Sequence, residues 1–317
     1  MKIAALFPGQ GSQEVGMGRA LYEEYPLARE VFQKANDILD YDISKLCFEG
    51  PMEELKLTEN TQPAIYLVSY AAWACFGIAT EGKIPWSLSA GHSLGEYSAY
   101  AASGVLDFED GLRLVRKRGE LIRDASKVNP GTMAAIIGLN EEKIRELIPQ
   151  VTELGRVELA TINAPTQIVV AGEKPALDRF AEIAKEAGAK RAVVLTVSGP
   201  FHTSLITSAG EGLREELKSV KLHEAAFPVV TNVSGKPAAD EAAIQETLSR
   251  QVSEPVNWLA DARYLADAGV ELAVEFGHGR VAAGLMKRCA KEIKVLNVGD
   301  PDSLKKTAED LHERGLL

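Results

Sequence analysis

Along the chain the spacing of apolar positions changes several times, and each change predicts an element. Ile3–Phe7 is a short apolar run ended by Pro8-Gly9, the pattern of a buried strand entering a turn. Gly18–Leu39 and Thr61–Phe76 carry helical spacing, and Trp86–Ala90 is a short strand. A helix pattern then runs from Leu94 to Ala102, with Gly104 available for its C-terminal end. Alternating strands and helices predict a mostly parallel sheet covered on both faces.

Between about residue 130 and residue 198 the grammar differs. Met133–Leu139 reads as a strand, Glu141–Ile148 as a helix, and Val157–Ile162 and Gln167–Ala171 as strands split by the turn signal Asn163-Ala164-Pro165-Thr166. Pro175–Ala187 is helical and Arg191–Val197 a strand, giving the βαββαβ order of a ferredoxin-like unit. Asn129-Pro130-Gly131 and Ser198-Gly199-Pro200 mark its entry and exit. After it come a helix from Thr203 to Leu217, a strand near Val229–Val233, a helix near Ala262–Ala268 and a strand Leu272–Phe276 followed by a helix. The expected domains are therefore a discontinuous main domain, 1–128 and 199–317, and an insert at 129–198. The cleft between them is the natural ligand site.

Composition narrows the picture. Apolar residues make up 46% of the 317 positions and charged residues 25%, as in ordinary globular chains. A net charge of −10 argues against a general nucleic-acid binder. Cys47, Cys75 and Cys289 lack metal or redox spacing, and their odd number argues against a disulfide framework, so reduced thiols in a cytoplasmic protein are expected. The N-terminal apolar run is too short for a signal peptide, and no run approaches the ~20 residues that span a bilayer.

The sharpest chemical signal is Gly91-His92-Ser93-Leu94-Gly95, a G-x-S-x-G between a strand and a helix. A serine at such a turn projects its hydroxyl from the top of the sheet, as in α/β-hydrolase-like folds. The helix N-terminus offers N–H groups to developing negative charge, the Leu94 amide among them. The predicted fold is accordingly α/β: an α/β-hydrolase-like parallel-sheet main domain with an inserted ferredoxin-like small domain. His92 is expected to point away from the serine. A serine needs a base; His202 follows a strand and the Ser-Gly-Pro turn, and His278 is its rival, while His223 and His312 read as surface residues. No acid between Ser93 and His202 stands in a strand-end loop, Asp107 reading as a helix cap. A Ser–His dyad with a carbonyl orienting the imidazole is expected.

The helical stretch Gly111–Ala125 adds independent information. At ~100° per residue Arg118 falls within the apolar arc of Leu114, Val115, Leu121 and Ile122. A buried guanidinium needs an anion or hydrogen-bond acceptors, either from a core-facing acid or from a ligand carboxylate. Beside a serine acyl-enzyme, it suggests a substrate whose acyl group carries a free carboxylate.

These residues resemble the malonyl-CoA:acyl-carrier-protein transacylase family over essentially the whole chain. The matching motifs are Phe7-Pro8-Gly9-Gln10-Gly11-Ser12-Gln13, Gly91-His92-Ser93-Leu94-Gly95-Glu96, Arg118, Asn163-Ala164-Pro165, Gly199-Pro200-Phe201-His202, and Gln251 with Pro255-Val256-Asn257-Trp258. The resemblance implies Ser93 as nucleophile, His202 as base, Arg118 as the clamp for the malonyl carboxylate, and the Gln10 and Leu94 amides as oxyanion hole. It implies Gln251 beside the imidazole, and Asn163, Phe201 and Met133 with Arg118 as substrate-binding residues. Phe201 would crowd a branched extender, a preference of about 1–3 kcal/mol per methyl. Gly277-His278-Gly279 departs from the usual Gly-Pro-Gly.

The expected reaction is ping-pong transfer of malonyl from malonyl-CoA to the phosphopantetheine thiol of an acyl carrier protein, with no metal and no cofactor of the enzyme's own. The expected protein is a monomer that engages neither nucleic acid nor membrane. Carrier docking would use a local basic cluster: Arg113, Arg116 and Lys117, or Lys185, Lys190 and Arg191, or Lys287, Arg288 and Lys291. The alternatives are a stand-alone polyketide-type acyltransferase with another extender CoA, a malonate decarboxylase component, a serine thioesterase or hydrolase, and a catalytically silent scaffold.

Overall fold

In the computed structural model, which describes residues 1–195 and 197–317, ten strands form two sheets of mixed α/β context. They are β1 (Lys2–Phe7), β2 (Trp86–Gly91), β3 (Thr132–Ile137), β4 (Val157–Ala164), β5 (Gln167–Gly172), β6 (Arg191–Val194), β7 (Val229–Thr231), β8 (Lys236–Pro237), β9 (Val270–Phe276) and β10 (Lys294–Val298). The larger sheet has the order β10-β9-β1-β2-β7-β8 and is parallel from β10 to β7, with β8 antiparallel at its edge.

β1 explains why an unbroken apolar run suits the centre of this sheet. Its Ile3, Ala5 and Phe7 enter one core, beneath the helices Thr58–Ala79, Leu94–Ala102 and Phe108–Val128. Ala4 and Leu6 enter a second core, beneath Trp258–Asp267 and Val281–Cys289. Both faces are covered, so the period-2 alternation vanishes.

The smaller sheet, β4-β5-β3-β6, is antiparallel throughout. One face is packed by the helices Glu141–Leu147 and Lys174–Glu186. From its other face Met133, Ala160, Val169 and Ala171 pack with Phe201, Ile206 and Ile122 of the chain outside the small sheet. That second contact forms one wall of the cleft described below. No helix among the described residues is long and apolar enough to cross a membrane.

Several expected elements differ. The single helix read over Gly18–Leu39 is two, Arg19–Glu24 and Pro26–Leu39. Pro26 disfavours a helical Tyr25, which is extended at φ −106 and ψ 122. The helix read from Thr203 starts as a 3-10 turn, Ser204–Ile206, and becomes α-helical at Thr207. The Ala262–Ala268 helix begins earlier, at Trp258, where the Asn257 side chain caps it by accepting the Ala260 N–H. Glu241–Gln251 and β10 were not read as elements at all. Asp107 stands at the N-cap position of Phe108–Val128 without a capping bond, its carboxylate facing His223 instead. The strand read over Arg191–Val197 is described as Arg191–Val194, and Thr196 lies outside the described residues.

The strand-to-helix turn after β2 requires glycine for packing. A Cβ at Gly95 would overlap the Phe7 carbonyl oxygen, and one at Gly91 would overlap the Gly95 carbonyl. Gly95→Ala should therefore lower stability by about 1–3 kcal/mol, read as a reduced urea midpoint at unchanged slope.

Candidate active site

The turn that carries Ser93 is strained. β2 ends at Gly91, the helix starts at Leu94, and Ser93 between them lies at φ 52 and ψ −107. A non-glycine residue there costs about 1–3 kcal/mol and persists only where its surroundings over-determine it. Those surroundings are explicit. The Ser93 N–H donates to Asn232 Oδ1 at 2.7 Å, Gln251 Nε2 donates to the Ser93 carbonyl at 2.8 Å, and the His92 N–H donates to the Phe7 carbonyl at 3.0 Å.

Ser93 Oγ lies 2.8 Å from His202 Nε2, and His202 Nδ1 lies 2.7 Å from the Gln251 carbonyl oxygen. A carbonyl can only accept, so Nδ1 carries the proton and donates it. Nε2 then presents its lone pair to the serine hydroxyl. Burial, reinforced by the charge of Arg118, pulls the His202 pKa down to about 3, which keeps the ring neutral. His202 itself is at φ 60, so both members of the pair are held in left-handed backbone.

Arg118 reaches the same point from the Phe108–Val128 helix. It is 2% exposed. Its Nη1 donates to Gln62 Oε1 at 2.7 Å, and its Nη2 to Gln251 Oε1 at 2.8 Å and to Ser93 Oγ at 3.1 Å. The guanidinium sits 5.5 Å from the centre of the Tyr97 ring, and its Nε has no partner. Among the described residues no carboxylate forms an ion pair with it, and the buried acid near it, Glu96, bonds to Asn232 and Gln251 instead. Its partners are neutral acceptors, and a buried positive charge is left for an anion.

These groups open onto a cavity of 690 Å³ whose lining includes Gln10, Met133, Asn163 and Phe201 as well as Ser93, Arg118 and His202. Met133 and Phe201 belong to one apolar cluster with Ile122 and Val169. Gln10 accepts from Thr58 Oγ1 at 3.3 Å. Among the described residues, the backbone N–H groups of Gln10 and Leu94 donate to no protein acceptor. Among the described residues His92 makes no hydrogen bond to the Ser93 hydroxyl; its ring lines the cavity beside Trp258, with Nε2 2.7 Å from Asn163 Oδ1. His278 is away from the cavity and pairs with Glu14 at 2.9 Å. Of the basic clusters, Arg113, Arg116 and Lys117 are occupied by Glu109, Asp110, Glu120 and Glu216. The other two clusters make no ion pair among the described residues.

Residues 5–299 match the sequence profile of the acyl transferase domain family. The malonyl CoA-acyl carrier protein transacylase of Bacillus subtilis (strain 168) is 43% identical over 313 residues, 98% of each chain. The chain belongs to the acyltransferase family, among its malonyl CoA-acyl carrier protein transacylases. The acyl-carrier-protein S-malonyltransferase of Burkholderia pseudomallei 1710b superimposes with a TM-score of 0.93 at 42% identity, covering 98% of this chain and 100% of that one. A malonyl-transacylase solved in complex with a type II PKS acyl-carrier protein superimposes with a TM-score of 0.94 at 40% identity, again over 98% and 100% of the two chains.

Four polar residues of this acyltransferase site carry no role in the sequence reading: Gln62, Glu96, Asn232 and Asp261, each 0% exposed. Glu96 Oε2 accepts the Asn232 N–H at 3.0 Å and a Gln251 Nε2 hydrogen at 2.7 Å, and Asn232 Nδ2 donates to Asp261 Oδ2 at 2.7 Å. Glu96 and Gln62 are open to the test that singles out Arg118, since each is a polar residue in a helix buried along most of its length. Gln251 was named only by resemblance; the structure makes it the hub of Arg118, Ser93, Glu96 and His202.

Glu96 provides a pH test. Burial, only partly offset by its hydrogen bonds and Arg118, raises its carboxyl from 4.5 to about 7. The fold thus favours the protonated form; that stabilisation is complete below the unfolded pKa and is lost as pH rises through the folded one. Glu96→Gln stays neutral at every pH. Relative to the unsubstituted enzyme it should gain on the order of 3 kcal/mol between pH 4 and pH 8, read from urea midpoints.

Proposed function

We propose that this acyltransferase moves malonyl from malonyl-CoA to the phosphopantetheine thiol of an acyl carrier protein through a malonyl ester on Ser93. The single observation that carries the reading is the buried Arg118 guanidinium, free of any carboxylate among the described residues and within 3.1 Å of the Ser93 hydroxyl. A site built around an unmatched cation beside a nucleophile selects an acyl group with its own negative charge.

Ser93 Oγ attacks the thioester carbonyl while His202 Nε2 takes its proton. The developing oxyanion is met by the N–H groups of Gln10 and Leu94. As the tetrahedral intermediate collapses, the C–S bond breaks and the CoA sulfur takes the proton from His202. The carrier's thiol then gives its proton to His202, attacks the serine ester, and returns Ser93 to its hydroxyl form. Arg118 holds the malonyl carboxylate throughout, and Met133 and Phe201 form an apolar wall that favours an unbranched chain. Asn163 lines the same cavity as a supporting substrate-binding residue, its Oδ1 held by His92.

The order β4-β5-β3-β6 supports reading 129–198 as a ferredoxin-like insert in an α/β-hydrolase-like main domain of 1–128 and 199–317. The two unpaired basic clusters, Lys185, Lys190 and Arg191 and Lys287, Arg288 and Lys291, are the candidates for an acidic carrier. In this scheme the enzyme needs no cofactor of its own and acts as a cytoplasmic monomer.

Intact-mass measurement after mixing with malonyl-CoA tests the reading. One malonyl adduct per chain is expected, absent in Ser93→Ala; rapid release of free malonate would indicate a hydrolase, and no adduct a scaffold. Arg118→Ala should reduce malonyl transfer by roughly 100-fold or more, the loss of a charge-assisted pair, while sparing acetyl. Equal loss for both donors would make Arg118 structural.

A further inference from the structure

β2 and β7 run side by side, and their last paired residues are Ala90 and Val230. Beyond that point β2 bends sharply into Ser93, and strand pairing by backbone alone stops. The Asn232 carboxamide takes over. Its Oδ1 accepts the Ser93 N–H at 2.7 Å, and its Nδ2 donates to the Gly91 carbonyl at 2.8 Å. A side-chain amide thus stands in for a peptide group, satisfying the donor and the acceptor on either side of the bend.

Only one orientation of the amide fits the bend, because the reverse would set its NH2 against the Ser93 N–H and its oxygen against the Gly91 carbonyl. Asp261 Oδ2 holds the amide in that orientation by accepting the second Nδ2 hydrogen at 2.7 Å. Asp261 is itself placed by the Trp258–Asp267 helix, whose cap residue Asn257 donates its N–H to the Asn232 carbonyl at 2.9 Å. Asn232 and Asp261 are both fully buried. Burial also holds the Asp261 carboxyl well above the usual carboxylate range, so a neutral acceptor is what Asn232 meets.

We propose that Asn232, oriented by Asp261, is a positioning residue for acyl transfer: it clamps the peptide groups around Ser93 so that Oγ stays aimed at His202. Because Asn232 consumes the Ser93 N–H, that amide is not an oxyanion donor, and the adjacent Leu94 N–H is left to serve. Asn232 touches no substrate and acts through Ser93. The proposal rests on Ser93 being the acylated residue.

Quenched-flow mixing of the full chain with malonyl-CoA, read by intact mass, separates the rate of serine acylation from its amplitude and gives KM. Asn232→Ala should acylate about 30-fold more slowly or worse, with KM within about threefold and an amplitude still near one malonyl per chain. A merely structural role would instead lower the amplitude and the melting temperature, leaving the rate of the folded fraction unchanged. If Asn232→Ala does not fold, Asp261 decides. Asp261→Leu should lose about 10-fold in rate, and Asp261→Asn, which keeps a neutral acceptor oxygen, should recover to within about threefold of the unsubstituted enzyme. A folded Asn232→Ala acylating at the unsubstituted rate, or Asp261→Leu and Asp261→Asn matching each other, overturns the proposal. No adduct on the unsubstituted chain overturns this proposal and the malonyl reading together, and that control tells the two failures apart.

Discussion

A serine held at φ 52 and ψ −107 does not rest there unaided. The N–H of Ser93 goes to Asn232, its carbonyl receives the Gln251 amide, and Gly91 and Gly95 allow strand and helix to close without a Cβ between them. The hydroxyl is thereby fixed before any substrate arrives, 2.8 Å from a neutral imidazole. The aim of the nucleophile at its base follows from that fixed point. The strain is the counterpart of preorganisation, and the buried amide network is what sustains it.

A second constraint is electrostatic. Arg118 is buried among neutral groups: the amides of Gln62 and Gln251, the Ser93 hydroxyl and the Tyr97 ring. The nearby acid Glu96 is pushed up to about 7 by the same burial, so it offsets the guanidinium incompletely near neutral pH. One unmatched charge has two consequences. It helps depress the His202 pKa, keeping the base unprotonated, and it provides the attraction that an acidic acyl tail would satisfy. Base and specificity are thus set by one side chain, which ties the reaction to the kind of acyl group it handles.

Gln251 joins the two constraints. Its carbonyl receives the His202 Nδ1 hydrogen, its Oε1 receives Arg118, and its Nε2 reaches both the Ser93 carbonyl and Glu96. It closes the Glu241–Gln251 helix, which the periodicity of the sequence did not reveal because its apolar face is short and interrupted. The surroundings of His92 are hidden for a related reason: the turn's letters place it next to the nucleophile, but only the approach of Asn163 from the small sheet shows that its ring lines the cleft.

What the sequence determined alone is what short-range physics encodes. An unbroken apolar run marked β1 as a strand covered on both faces, the glycines around Ser93 marked a close strand-to-helix turn, and Arg118 stood out because one helix face was otherwise apolar. Only the tertiary structure decided who meets whom. Asn232 lies 139 positions from Ser93, Gln251 lies 133 from Arg118, and Asp261 enters only through Asn232. Single polar residues on strand ends and helix faces carry no period, so their pairing is fixed by the packing of sheets and helices and by the need to satisfy every buried donor.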